Sequence, residues 1–97
     1  MAKENKEETE NDLIVLEVGD EELRFNKSNK AYGTYIDTIG KGKLKQGANN
    51  YCIETIHGED RSKLRSMIAE NPGLPLQLAG TLADLVAPDM EVTVKKR

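Results

Sequence analysis

Three prolines punctuate the last third of the chain, and the spacing between them admits few kinds of element. Asn71-Pro72-Gly73 closes a preceding helix, because the residue before a proline is pushed out of the helical region. Pro75 suits the first turn of a new helix, where its missing N–H is no loss, and Ala87-Pro88 stops that helix after Val86. From Met90 the period changes: Met90, Val92 and Val94 alternate with Glu91, Thr93 and Lys95, which predicts a strand. On a wheel at 100° per residue, Leu74, Leu78, Leu82 and Leu85 share one sector of the 75–86 helix, followed by Val86, Ala79, Ala83 and Leu76. The apolar arc spans about 200°, where packing on a single core needs a stripe of about 100°. Either the helix is central and its own domain wraps both sides, or a partner covers the second flank, Leu76, Ala79 and Ala83.

Near the other end, Leu13–Val18 and Glu21–Phe25 flank Gly19-Asp20, a two-residue hairpin signal with glycine where a type II′ turn needs a positive φ. Pairing Val18 with Glu21 sets Leu16 opposite Leu23 and Ile14 opposite Phe25 on one face. The other face then pairs Glu17 with Glu22 and Val15 with Arg24, so one side is apolar and the other largely charged. Arg24 is expected to relieve the Glu17/Glu22 repulsion diagonally. An isolated hairpin is marginal in water, so the Met90–Lys95 strand is expected to join it as a third member.

Between these ends the pattern is helical. Ser28 or Asn29 caps a helix carrying Ala31, Tyr32, Tyr35, Ile36 and Ile39, which Gly40 ends. Lys41–Gly47, rich in glycine and without periodicity, reads as a mobile loop. Asn49 or Asn50 caps a short helix through Cys52, Ile53 and Ile56 to Gly58, and Asp60 caps another carrying Leu64, Met67 and Ile68. The sum is an α+β domain: an N-terminal β-hairpin and a C-terminal strand in a small antiparallel sheet, packed against three to four helices. It occupies residues 13–97. Residues 1–12 contain almost no apolar side chain and hold five acids and two lysines, so they read as a disordered acidic tail.

That tail carries the whole net charge of −3, because residues 13–97 hold twelve acids and twelve bases. A neutral body argues against nucleic acid as a partner, since phosphate binding needs a basic face. No stretch approaches the ~18 apolar residues of a membrane span, and the charged start is unlike a secretion signal. With a single cysteine, Cys52, the chain suits a reducing compartment, and a cytoplasmic location is expected.

Candidate chemistry is sparse. Cys52 and His57 stand at i, i+5, off a common helical face and without a third orienting group, so a buried thiol and a helix-end imidazole is the better reading. His57, Glu59 and Asp60 lack the spacing of a zinc or calcium site. Gly40–Gly47 invites comparison with a phosphate loop but lacks the GK[ST] ending and follows a helix. No pair of acids is fixed on a rigid face for acid/base work. The expectation is a protein without catalytic residues, metal or cofactor, acting through protein contacts.

Leu16-x-Val18-Gly19-Asp20-x-x-Leu23-x-Phe25-Asn26, Tyr32 to Tyr35, Ala48-Asn-Asn-Tyr-Cys-Ile53, the Leu64–Gly73 helix and, most strongly, Gln77-Leu-Ala-Gly80 with Ala87-Pro-Asp-Met-Glu-Val-Thr-Val94 follow one another in this order. Over roughly residues 13–96 this pattern resembles a family of small phage tail assembly chaperones of tailed phages or prophages. Gly40–Gly47 matches least. The resemblance implies a chaperone that binds the long helical tape-measure protein, keeps it soluble, helps tail-tube subunits assemble around it in the cytoplasm of the bacterial host, and is absent from the mature virion. Leu76, Ala79 and Ala83 would then face a partner helix or a second copy of the chain in a homo-oligomer, while Leu78, Leu82 and Leu85 hold the domain together. The rival readings are a structural component retained in the tail or virion, and a cytosolic protein-interaction adaptor.

Overall fold

The computed structural model describes residues 13–87 and 93–95. Strand β1 (Leu13–Val18) pairs antiparallel with β2 (Glu21–Asn26) in the register that alternation dictates: Val18 faces Glu21, Leu16 faces Leu23 and Ile14 faces Phe25. Gly19 takes φ 63°, and no non-glycine among the described residues has a positive φ, so the turn is of the II′ kind. Arg24 does not serve the Glu17/Glu22 pair as expected; its guanidinium turns to Asp60 and Glu59.

Four helices follow. Ser28 caps α1 (Asn29–Gly40), its Oγ accepting the Ala31 N–H at 3.0 Å. Helix α2 runs from Leu44 to Thr55, so only Lys41–Lys43 connect it to α1 and the expected loop over 41–47 is corrected. The reason lies in packing. Gly47 is buried, and a Cβ placed on it would stand 3.2 Å from side-chain carbons of Thr38 and Ile39, so this glycine permits a close α1–α2 approach. Its helical cost is offset by contact, which local composition does not reveal.

Helix α2 ends at Thr55, and Ile56 turns to bridge Phe25 on the edge of β2. A 3-10 turn (Gly58–Asp60) leads into α3 (Arg61–Glu70). Asp60 stands at the cap position of α3 but makes no capping bond; its carboxylate accepts Arg24 Nε at 3.0 Å, Arg24 Nη2 at 3.0 Å and the Arg24 backbone N–H at 2.9 Å. The expected cap is thus a bidentate clamp on the sheet. Helix α4 (Leu74–Val86) carries Pro75 in its first turn, as the proline spacing requires.

The core gathers on α2. Ala48, Tyr51 and Cys52 meet Leu23 and Phe25 from β2, Ala31 and Tyr35 from α1, Leu64 from α3, and Leu74, Leu78, Ala79 and Leu82 from α4. The rings of Tyr35 and Tyr51 stack with centroids 4.8 Å apart. Burial pushes the Tyr51 hydroxyl up to about 12. The fold is α+β, with one two-stranded sheet among the described residues. Of the strand expected over Met90–Lys95, only Thr93–Lys95 are described, and they are exposed and outside any strand. The remainder of that segment and the 1–12 tail lie outside the described residues.

A groove between α2 and the α3–α4 corner

The side chains left over from core packing on α2 fall on one stripe. Lys45, Gln46, Asn49, Asn50 and Ile53 follow i, i+1, i+4, i+5, i+8, so they line one face of the helix over about 12 Å. Opposite them stand Arg65 and Ile68 of α3, then Pro72, Pro75 and Leu76 at the turn into α4. Together they bound two adjoining hollows, of about 570 and 370 Å³, that share Asn49 and Ile68. The result is one shallow groove between antiparallel walls.

Apolar side chains dominate its Leu76 end, where Ile68, Pro72, Pro75 and Leu76 lie, while polar and apolar groups share the end at Ile53, and three amides, Lys45 and Arg65 complete the lining. No acid lines it. Neither cation has an ion-pair partner among the described residues, whereas Arg24 and Lys63 do. Pro72 and Pro75 fix the corner by removing two N–H donors and limiting φ, so the Leu76 end is a stiff surface.

The structure separates the three partner-binding candidates. Leu76 is 40% exposed and lines the groove, Ala79 is fully buried in the core, and Ala83 is half-buried against it. The buried face of α4 is Leu74, Pro75, Leu78, Ala79, Leu82 and Val86, so the core arc reaches further round the wheel than one stripe. Ala79 therefore belongs with the core set. Leu85, assigned to that set, is 52% exposed instead. Its wheel angle falls between those of Leu74 and Leu78, so helical periodicity alone does not foretell its exposure. Gln46, Asn49, Ile53, Arg65 and Ile68 were not singled out by sequence as binding residues. A signal existed: Leu44, Ala48, Tyr51, Cys52 and Thr55 are spaced i, i+4, i+7, i+8, i+11, a helical stripe hidden behind Gly42 and Gly47.

Nothing in the groove is set up for bond chemistry. Cys52 is fully buried beneath it, its Sγ 3.6 Å from the Pro75 carbonyl, and burial pushes the thiol up to about 12. A thiolate nucleophile is not accessible there at neutral pH. The His57 Nδ1 accepts the Glu59 N–H at 3.3 Å and so acts on the backbone. Among the described residues no cluster of His, Cys, Asp or Glu could hold a metal, and no helix is long and apolar enough to cross a membrane.

The family described as phage tail assembly chaperone matches residues 14–96. A solved structure of an uncharacterised protein from Bacillus stearothermophilus has the same fold, with a TM-score of 0.71 at 20% identity, covering 98% of this chain and 100% of that one. No curated protein matches the chain.

Proposed function

The chain belongs to the phage tail assembly chaperone family, and from that premise we propose that it binds the tape-measure protein and keeps it soluble during tail morphogenesis. The observation that carries this reading is the groove, whose apolar side chains from Ile53 to Leu76 lie open to solvent beside three amides and two cations. A long helical protein with an apolar face aggregates unless that face is covered, and a groove between two helices covers it without any covalent step. The chaperone acts in the host cytoplasm, hands the tape-measure protein to tail-tube subunits and leaves before the particle is complete.

Co-expression tests the proposal directly. The tape-measure protein of the same phage or prophage should be largely soluble with this chain and largely insoluble without it, and the two should co-purify. An equal soluble fraction in both cases removes the proposal. Finding the chain in purified particles at tail-subunit stoichiometry would instead make it a structural component.

A further inference from the structure

The electrostatics of the groove are one-sided. At its Leu76 end two helices begin together: Lys45 and Gln46 belong to the first turn of α2, and Pro75 and Leu76 to the first turn of α4. No side chain caps either helix, and neither first turn contains an acid. Each helix start carries roughly half a positive charge, and here Lys45 adds a full one beside them. At the other end Arg65 supplies the second cation, next to Ile53.

Apolar side chains line the groove at three levels, at Leu76 with Pro72 and Pro75, at Ile68, and at Ile53, over a length of about 12 Å or two helical turns. Apolar side chains at i, i+3 or i+4, and i+7 of an incoming helix meet these levels one by one.

We propose that the groove formed by Lys45, Asn49, Ile53, Arg65, Ile68 and Leu76 docks a two-turn amphipathic helix whose apolar stripe is flanked by carboxylates, the acids of one end sitting against Lys45 and the starts of α2 and α4. The occupant is a segment of the tape-measure protein, so the inference rests on the function proposed above and adds which chemistry within that protein is recognised. Acidic flanks give register and on-rate, while the apolar stripe supplies the contact area. A basic flank would meet like charge at both ends.

Two probes separate the two levels of the argument. Capture of the full tape-measure protein by the wild-type chain tests the function alone. The groove is tested with synthetic helical peptides of three turns bearing one leucine stripe and either glutamate or lysine flanks, titrated against the full chain by fluorescence anisotropy. Wild type should bind the glutamate peptide at least about tenfold more tightly than the lysine peptide, with the difference shrinking in high salt. The double variant Lys45→Glu, Arg65→Glu should invert that preference, and Leu76→Glu should weaken both peptides. All these positions are solvent-facing, and circular dichroism melts confirm folding of each variant. If wild type captures the tape-measure protein but shows no flank preference, or the variants capture it as well as wild type does, the groove assignment is overturned and the function stands. If wild type captures nothing, the function itself falls. A Leu76→Glu effect on sedimentation of the chain alone, with capture unchanged, would give the groove to a second copy and also overturn the proposal.

Discussion

The two strands of the hairpin are paired residue for residue, yet their outer edges differ. With Val18 and Glu21 as the closing bonded pair, Leu13, Val15 and Glu17 of β1 and Glu22 and Arg24 of β2 direct their backbone groups away from the partner strand. On β2 these groups are answered. The Arg24 carbonyl accepts the His57 N–H at 2.7 Å, the Arg24 N–H donates to Asp60, and the Glu22 carbonyl accepts Lys63 Nζ at 3.0 Å. On β1 no such bond occurs among the described residues. The side chains of the apolar face follow the same division, for Leu23 and Phe25 are fully buried while Leu16 and Ile14 opposite them are only half-buried. Sequence alternation treats the strands as equals; contacts from residues more than thirty positions away make one the interior and the other the margin.

That difference can be broken or sharpened experimentally. The largest effect is expected at Phe25→Ala, which should cost about 3–5 kcal/mol in chemical denaturation, because the side chain is fully buried between sheet and helices. Ile14→Ala, at the position on β1 that faces Phe25, is only half-buried and should cost about 1 kcal/mol. Comparable losses at both sites would end the distinction.

Acid should reveal the closed edge next. Hydrogen bonds from the Arg24 side chain, then from its backbone N–H, hold the Asp60 carboxyl well below the usual carboxylate range. A group whose acidity is strengthened by folding contributes stability that is fully present above its unfolded value near 3.9 and is lost as pH falls toward the folded one. Melting temperature should therefore drop below about pH 4, and Asp60→Asn should lower it at neutral pH while flattening its acid dependence. An unchanged acid slope in that variant would show that the clamp is not what closes the edge.

Amide exchange reads the contrast residue by residue. The Arg24 N–H should be protected by at least about tenfold more than the Val15 N–H, which points away from β2. Smallest of all should be Val15→Lys, expected to change stability by no more than about 0.5 kcal/mol. A large loss there would mean that the margin is covered after all.

Short-range patterns made much of the fold legible. Alternation with Gly19-Asp20 set the hairpin register, Ser28 marked the start of α1, and Pro72 and Pro75 bracketed the start of α4. What escaped depends on distance in space. Asp60 looks like a helix cap because its partner, Arg24, is 36 residues away. Gly47 looks like a loop residue because Thr38 and Ile39, whose side chains would crowd a Cβ, lie on another helix. That misreading hid the first half of the groove, since Lys45 and Gln46 then fell in a loop and formed no face with Asn49. Ala79 went to the wrong set on the wheel because alanine is compatible with either side, and the packing of α2 against α4 decides.

Cys52 gives the molecule a clock. As the only cysteine, fully buried where α2 meets the start of α4, it can react with a thiol reagent only when those two helices part. The labelling rate in native buffer thus counts openings of the helix pair that frames one end of the groove. An occupant resting on both helices would hold them together and slow that count, so a native, untagged chain reports its own loading through the chemistry of one sulfur atom.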